Sequence, residues 1–431
     1  MDNAQLLIMA LLFGAMAATV PVFIALFFTG LAGLTLIVGI DPRISIEILY
    51  RSMDKFALIV VLFFVLCGNI MTTGSIVQKL IKTANVLVGF LPGGLAMAGI
   101  LACGFFGAIS GSTVATVVAI GGFMIPALIE HGYDEKFSVG VMTTAPILGV
   151  IIPPSIAMIL YAMITNDSLE ALFLTGFIPG FMIMFAMSVY AWFFCRKNGM
   201  ERRPRPKVGE ALSVLRESVW ALLLPVIIFG GIYSGVFTAN EAAIVACVYA
   251  FIVELCIHRD MKIGDVKKVI VSSAATSASL LVIVAGASVF GEYLTFEQIP
   301  EHIASAVVSN FHSPWAFLLV VNILLLCVGM FMDIISATII LTPIFIPLLA
   351  EFDIDTLHFG LIMTLNLGIG YCTPPLGVSL FISGAVANRS MLFVARAVMP
   401  FLLIQIAILL LLTFWPDPVL LLPRIFFGYG N

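Results

Sequence analysis

Small and hydroxyl-bearing side chains are concentrated in one stretch of an otherwise strongly apolar chain. The stretch CGFFGAISGSTVAT covers residues 103–116 and contains three glycines, two serines and two threonines. Glycine weakens a helix, and hydroxyl groups need hydrogen-bond partners where water is excluded. Such residues can bind a ligand, or they can let helices pack closely against each other.

Two proline pairs indicate a second kind of candidate site. Pro153-Pro154 lies in APILGVIIPPS, and Pro374-Pro375 lies in LGIGYCTPPLG. A proline pair removes two N–H donors and forces the preceding residue out of the α conformation, so a helix cannot continue through it. Freed carbonyls at membrane depth are tolerated only where they line a cavity or bind something. Together with Ser and Thr hydroxyls they suit sodium, and the helix N-termini at these breaks favour an anionic group.

The composition indicates whether these residues lie in water or in a lipid bilayer. The chain has 431 residues, of which 61% are hydrophobic and only 10% are charged, whereas soluble domains carry roughly 25% charged residues. The chain is therefore predicted to be a polytopic membrane protein. Apolar segments of spanning length cover residues 5–40, 56–72, 84–108, 113–130, 138–165, 171–195, 219–238, 240–258, 269–290, 315–332, 334–350, 356–386 and 397–427. The first is too long for one straight crossing, and Pro21 is its candidate break.

The cysteines and histidines are not spaced as metal ligands. The seven cysteines are scattered without a C-x-x-C pair, and the five histidines lie near segment ends without forming a cluster. The sequence therefore predicts no transition-metal site and no cofactor. It also shows no nucleophile–base pair, so we predict no catalytic residues and no enzymatic activity.

Basic residues predict the orientation of the chain. The segment 196–207 holds six basic residues and one acid, and the segment 259–268 is also rich in Lys and Arg. Both are expected on the cytoplasmic side. Two spans must then lie between them, joined on the outside near residues 235–243.

The two halves of the chain repeat each other at a shift of 221 residues. The shift superimposes the two proline pairs without a gap. It also aligns Ile125-Pro126 with Ile346-Pro347, Glu130 with Glu351, Asp134 with Asp355, Met142-Thr143 with Met363-Thr364, Gly149 with Gly370 and Pro179 with Pro400. Such internal symmetry is typical of secondary transporters, whose substrate and ion sites lie near the midplane on broken helices.

Each half therefore combines a small, polar segment with a broken helix. GAISGSTVAT (107–116) precedes the first proline pair, and GMFMDIISAT (329–338) precedes the second. One such motif alone more often indicates close helix packing than binding, and one proline pair alone can be a kink or a loop. Because the whole unit is duplicated, we favour a paired cation site with a carboxylate site between the two units. Asp333 is interpreted as a cavity residue of the second unit, with an interface residue at a segment end as the alternative.

These motifs, together with YSGVFTANEAAIVACVYA (233–250), resemble the DctM-like large membrane subunit of tripartite ATP-independent periplasmic (TRAP) transporters over essentially the whole chain. The resemblance implies an all-α polytopic membrane protein, built as an inverted-repeat, elevator-type transporter with two re-entrant hairpins and two Pro-Pro-broken helices. It implies sodium-coupled symport of an organic acid across the bacterial inner membrane. The implied protein partners are a periplasmic substrate-binding protein and a separate small four-helix membrane subunit. The protein would lie in the lipid bilayer, and no nucleic acid would bind to it.

Site residues follow from the same resemblance, motif by motif. A first sodium site would involve Ser110, Gly149, Ile152 and Pro153. A second would involve Gly329, Gly370, Thr373 and Leu376, mostly through backbone carbonyls. Substrate contacts are assigned to Ser112, Thr113, Asp333 and Asn366.

The predicted organisation has two repeats and a linker. Repeat 1 covers residues 1–195, with a hairpin near 105–130 and a broken helix near 138–165. A cytoplasmic basic linker covers 196–218. Repeat 2 covers 219–431, with a hairpin near 320–350 and a broken helix near 356–386; each repeat also supplies scaffold helices.

Two other functional classes are also compatible with the sequence. A stand-alone sodium–dicarboxylate symporter of similar fold would need no binding protein. An ion channel is the weaker alternative, because it would need a continuous pore and not paired dead-end hairpins. The substrate is also open among C4-dicarboxylates, sialic acid, other sugar acids and keto acids.

Overall fold

The computed structural model describes residues 3–18, 20–56, 58–199, 204–310, 313–375 and 377–429. Within these ranges the chain forms helices and loops without any strand. Nine helices of the described chain are long and apolar enough to cross a membrane. They are Thr113–Glu130, Glu135–Thr165, Leu169–Lys197, Val208–Tyr233, Ala239–His258, Ile263–Phe296, Pro314–Phe331, Ile334–Glu351 and Met391–Phe414. The prediction of an all-α polytopic membrane protein is confirmed.

The N-terminal apolar segment is divided at Pro21, as predicted. Asn3–Ala17 ends before this proline, and Val22–Ala32 begins directly after it and continues into a π-helical turn, Gly33–Ile37. Proline at this position is compatible with the start of a helix, because the first helical N–H groups have no intrahelical partner. The next helices along the chain are Pro42–Met53, Leu58–Thr73 and Ile76–Val88.

The scaffold consists of the helices Val22–Ala32, Pro42–Met53, Leu58–Thr73, Ile76–Val88, Ala239–His258 and Ile263–Phe296, and the last of these is its central helix. Ile263–Phe296 packs against Val22–Ala32, Pro42–Met53 and Leu58–Thr73. Its contact with Val22–Ala32 is very close, because a Cβ atom added at Gly30 would lie 2.7 Å from the backbone nitrogen of Phe290. Glycine at this position lets the two backbones approach, as is common between membrane helices.

The linker between the halves is shorter than the predicted range 196–218. The helix Val208–Tyr233 begins inside that range, after the non-helical residues 204–207. The two spans expected between the basic segments are Val208–Tyr233 and Ala239–His258, and they are joined by a short connection at 234–238. Thr238 begins the second of them by accepting a hydrogen bond from the backbone N–H of Glu241, whose carboxylate bonds back to Thr238.

Each half contains a helical hairpin with a short, non-helical tip. Hairpin 1 consists of Gly94–Ser110 and Thr113–Glu130, and hairpin 2 consists of Pro314–Phe331 and Ile334–Glu351. The first arm of each hairpin begins earlier than the ranges estimated from sequence, near 105–130 and 320–350, whereas the second arms end at Glu130 and Glu351, close to the predicted ends. The tips lie at residues 111–112 and 332–333, within the two polar segments of the sequence.

A helix interrupted at the proline pair follows each hairpin. The first broken helix runs from Glu135 to Ile151 and resumes as Ile156–Thr165, and the second comprises Thr356–Gly370 and Val378–Ala387. Both begin at an aspartate cap, Asp134 and Asp355, two residues that the repeat aligns with each other.

The ends of the two broken helices are tied to each other. The Arg389 guanidinium donates two hydrogen bonds to the Glu135 carboxylate, at 2.6 and 2.9 Å. At the opposite end, the Thr356 hydroxyl donates to the Asp167 carboxylate at 2.9 Å. Of the remaining helices, Met391–Phe414 packs on both broken helices, Asp417–Phe427 follows it, and Ile299–Asn310 precedes hairpin 2.

Candidate functional site

The tip of hairpin 1 is held against the break of the first broken helix. Gly111 ends the helix Gly94–Ser110 with a left-handed φ of 60°, a conformation that favours glycine. A Cβ atom at Gly111 would lie 2.7 Å from the carbonyl oxygen of Pro154. Ser112 then begins the next helix, and its Oγ accepts a long hydrogen bond of 3.4 Å from the N–H of Ala115.

The tip of hairpin 2 has the same design with a different side chain. Met332 is extended, and Asp333 caps the helix Ile334–Glu351 by accepting a 2.9 Å hydrogen bond from the N–H of Ser336. A carboxylate at a helix N-terminus is stabilised by the free N–H groups of the first turn. The two helix starts are therefore chemically alike in their backbone and different in their charge.

The two tips meet at one small cavity of about 80 Å³. Ser112, Thr113 and Asp333 all line it, so three of the four predicted substrate residues are brought together. The Thr113 hydroxyl is buried and has no hydrogen-bond partner among the described residues. Among the described residues that line the cavity, Asp333 is the one charged side chain. None of these described lining residues is a basic side chain that could neutralise an anionic ligand.

A larger cavity of about 780 Å³ adjoins the first and extends between hairpin 1 and the scaffold. Ser112 lines both cavities. The scaffold contributes Asn69 and Thr72 from Leu58–Thr73, and Thr276 from Ile263–Phe296. By the orientation predicted from the basic segments, the Thr72 end of this cavity faces the cytoplasm.

The residues predicted for the first sodium site lie around the contact between hairpin 1 and the first broken helix. A Cβ atom at Gly149 would lie 2.8 Å from Thr116 Oγ1 and 3.0 Å from the carbonyl oxygen of Ser112. Thr116 also lies 3.5 Å from the Ser110 hydroxyl. Ile152 is extended at the end of the helix, immediately before Pro153. This places Ser110 and Gly149 in one neighbourhood, with the break at Ile152 and Pro153 against the same tip.

The second predicted sodium site has an equivalent arrangement. A Cβ atom at Gly370 would lie 2.7 Å from the Cα atom of Gly329, so these two glycines are in direct contact. Thr373 follows in the break, where its hydroxyl donates to the carbonyl of Ile369 at 2.7 Å. Leu376, the fourth residue predicted for this site, lies outside the described residues.

Asn366 is not brought to the cavity between the tips. It is fully buried, and its amide nitrogen donates to the side-chain oxygen of Asn322 at 2.6 Å. Asn322 in turn donates to the Thr413 hydroxyl at 3.0 Å. The structure thus places Asn366 in a polar cluster between hairpin 2 and the helix Met391–Phe414, and a direct substrate contact there remains a prediction.

Several cavity residues were not identified from the sequence. Tyr371 lines the small cavity, close enough to Asp333 for the two to interact electrostatically. It directly follows Gly370 in the break, so a polar aromatic residue at this position was an available signal. Asn69, which lines the large cavity, also stood out as an amide within an apolar segment.

Two hairpin tips and two broken helices that converge on one cavity in a membrane protein define the architecture of a secondary transporter. Residues 9–417 match the family described as tripartite ATP-independent periplasmic transporter, DctM component. The chain belongs to this family, and it is a multi-pass protein of the bacterial inner membrane.

Relatives of known name agree with this assignment. The chain is 42% identical to the C4-dicarboxylate TRAP transporter large permease protein DctM of Pseudomonas aeruginosa, covering 87% of this chain and 88% of the relative. It is 36% identical to the protein of the same name from Rhodobacter capsulatus, covering 98% and 99%. The fold is similar to the crystal structure of the YdaH transporter of Alcanivorax borkumensis, with a TM-score of 0.64, 14% identity and coverage of 90% and 91%.

Proposed function

We propose that this large TRAP permease subunit imports an organic acid together with sodium ions, by movement of the hairpins and broken helices relative to the scaffold. The observation that carries the proposal is the convergence of Ser112, Thr113 and Asp333, from the two hairpin tips, on one cavity. The names of its relatives favour a C4-dicarboxylate or a related organic acid as the substrate. Transport, and not a chemical reaction, is the activity.

Recognition of the substrate carboxylate is assigned to backbone and hydroxyl groups. The helices that begin at Thr113 and Ile334 direct their first N–H groups toward the tips, where an anion is stabilised. Ser112 and Thr113 add hydroxyls, and the unpartnered hydroxyl of Thr113 is free to accept or donate. Because Asp333 contributes negative charge, the charge of an anionic substrate is compensated by bound sodium in this proposal.

Sodium binding is assigned to the two contacts between a hairpin and its broken helix. The first group is Ser110, Gly149, Ile152 and Pro153, and the second is Gly329, Gly370, Thr373 and Leu376. The support is that the backbone is extended at Ile152 in the first break, and that Gly149 and Gly370 lie against small residues of the hairpins, so that backbone oxygens are near both contacts. An ion at either position would lie beside a tip and so strengthen anion binding there.

An elevator-type movement is supported by a difference in packing: the hairpins pack tightly on the broken helices, whereas a cavity separates hairpin 1 from the scaffold. Gly370 and Gly329 touch, and a Cβ atom at Gly107 would lie 2.5 Å from the Cα of Gly149, so each hairpin is bound closely to its own broken helix. Between hairpin 1 and the scaffold lies the cavity of about 780 Å³. Movement of the hairpins and broken helices as one body is therefore sterically easier than separation of a hairpin from its broken helix.

Two protein partners complete the proposal. A small four-helix membrane subunit would pack on the N-terminal helices, where Leu7, Phe13 and Phe28 are among the exposed apolar side chains. A periplasmic substrate-binding protein would deliver the organic acid. The second candidate function, a stand-alone sodium–dicarboxylate symporter, differs from the first in needing neither partner.

Uptake by proteoliposomes tests the proposal. The chain is reconstituted together with a small four-helix TRAP membrane subunit and supplied with radiolabelled succinate, with and without a periplasmic substrate-binding protein. We expect uptake only with an inward sodium gradient and binding protein, and no requirement for ATP. Full uptake after replacement of sodium by choline, without a pH gradient, would refute sodium coupling. Full uptake without the binding protein would favour the stand-alone symporter.

A further inference from the structure

A group of potential metal ligands lies in the scaffold, outside both cavities, with Glu254 buried, His258 partly buried and Asp260 exposed. Glu254, His258 and Asp260 each offer one ligand atom, and these three atoms lie within 4.8 Å of one another. The group is at the end of the span Ala239–His258, beside the segment 74–76 that connects two other scaffold helices. By the predicted orientation this is the cytoplasmic side of the protein.

Local backbone geometry assembles the three side chains. The span ends in a π-helical turn, Val253–His258, and Arg259 then adopts a left-handed φ of 59°. The N–H of Met261 returns to the carbonyl of Glu254, at 3.5 Å. The chain therefore folds back on its own last turn, and this reversal brings Asp260 to the two helical side chains.

Glu254 is only half satisfied by the protein. Its side chain is fully buried, and Oε1 accepts hydrogen bonds from the N–H groups of Ser75 and Ile76, both at 2.9 Å. Its other oxygen, Oε2, is buried and finds no hydrogen-bond partner in the part of the chain that the structure describes. A buried carboxylate oxygen without a partner is unfavourable, so this atom indicates a missing ligand.

The His258 ring lies near Glu254 Oε2, but it is too far away for a hydrogen bond. Its side chain is 4% exposed, and Nδ1 lies 3.9 Å from Glu254 Oε2 and 3.3 Å from the Ser75 hydroxyl. Its second ring nitrogen, Nε2, is buried without a hydrogen-bond partner from any described residue. Bonds of about 2.0–2.2 Å to a zinc ion separate neighbouring ligand atoms by roughly 3–4 Å. The 3.9 Å between Nδ1 and Oε2 falls in this range.

The charge around the group must also admit a cation. Lys79 and Asp260 both interact electrostatically with Glu254 and His258. One ammonium group thus opposes two carboxylates, so the negative charge exceeds the positive charge. The Lys79 ammonium group competes with a bound cation for the negative charge of the carboxylates. Removal of Lys79 should therefore raise the metal affinity, whereas removal of a ligand should lower it.

We propose that Glu254, His258 and Asp260 bind a divalent transition-metal ion. An imidazole with two carboxylates suits Zn²⁺ or Mn²⁺, whereas Mg²⁺ prefers oxygen ligands alone. The ion would join the segment 74–76 to the end of the span Ala239–His258, and so brace one side of the scaffold. This site is independent of the proposed transport function and departs from the absence of a transition-metal site predicted from sequence.

The test is Zn²⁺ binding by the full chain purified in detergent and freed of metal with a chelator. Affinity is measured by competition with a chromophoric chelator, and Co²⁺ is used to obtain an absorption spectrum of the site. We expect one ion per chain, with His258→Ala and Asp260→Asn each weakening binding by about tenfold or more. Lys79→Met should tighten binding, because it removes the competing charge. The matched control is His131→Ala, which removes an exposed histidine elsewhere and should bind Zn²⁺ as the wild type does.

Glu254→Gln is a weaker test, because Glu254 also binds the start of the helix Ile76–Val88 and its loss can disturb folding. His258→Ala and Asp260→Asn leave those two hydrogen bonds in place. Absence of Zn²⁺ binding by the wild type would overturn the proposal. Wild-type affinity in both of these variants, or equal displacement of Zn²⁺ by Mg²⁺, would overturn it as well.

Discussion

Ser112 and Asp333 hold equivalent positions in the two halves of the chain, 221 residues apart, and each caps the helix that follows a hairpin tip. The capped N–H groups belong to Ala115 and Ser336, at 3.4 and 2.9 Å. The repeat therefore reproduces the backbone, while the side chains differ by one negative charge. This asymmetry within a symmetric frame gives the cavity between the tips its polarity.

Ser112→Ala should weaken uptake without disturbing assembly. The hydroxyl makes a long capping bond and lines both cavities, so its loss costs about 1 kcal/mol of stability or less but removes a substrate ligand. We expect a fall in sodium-dependent uptake of about tenfold, corresponding to about 1.4 kcal/mol, at matched protein levels. The matched control is Ser168→Ala, which removes a serine cap outside the cavities and should retain uptake.

A packing role for the same stretch makes the opposite prediction. If it served only to let helices approach, Ser112→Ala would transport normally, because it adds no bulk, and Gly111→Leu would misfold. That pair of results would contradict the binding site proposed here.

Asp333→Asn should separate the charge of this residue from its capping role. Asparagine caps helices about as well as aspartate, so expression and thermal stability should be retained. Uptake should fall about tenfold or more, because the cavity loses the negative charge that attracts the compensating sodium ions to the tips. The control Asp134→Asn changes the equivalent atoms at the start of the first broken helix, away from the cavity. Equal uptake by both variants would show that the charge of Asp333 is not used.

Gly370→Ala should reduce apparent sodium affinity. The added Cβ atom would lie 2.7 Å from the Cα of Gly329, a backbone atom that cannot move away cheaply. Overpacking of this kind costs about 1–3 kcal/mol and would separate hairpin 2 from the break. The sodium concentration for half-maximal uptake is the measurement. Gly230→Ala, where nothing lies within 4 Å of the added atom, is the control and should behave as the wild type.

Pro153→Ala and Pro374→Ala should impair transport more than Pro21→Ala. All three prolines lie at helix breaks, but only the first two belong to the broken helices that follow the hairpins. Alanine supplies an N–H group that allows a helix to recapture the free carbonyls proposed to bind sodium. Initial uptake rates over a range of sodium concentrations distinguish the three variants. Similar, mild losses in all of them would mean that the proline pairs act only as kinks.

Much of the fold was determined by local sequence. Apolar segments of spanning length, the break at Pro21, the two proline pairs and the repeat each depend on a chemical property of neighbouring residues, and the structure bears out the corresponding helices and breaks. A repeated pattern of caps and breaks specifies a repeated backbone, because capping and helix termination act within a few residues. The limits of the hairpins and of the linker were less well predicted, since helix ends also depend on packing.

Which side chains meet was decided only by the tertiary structure. Asn366, Ser112 and Asp333 are all polar residues in apolar surroundings, yet two of them share a cavity and the third is bonded to Asn322. Sequence spacing cannot distinguish these outcomes, because the angle at which membrane helices cross depends on the small residues of both partners. The hydrogen bonds from the N–H groups of Ser75 and Ile76 to the Glu254 carboxylate also depend on tertiary structure. Residues 179 and 178 positions apart meet there only because two scaffold helices end side by side.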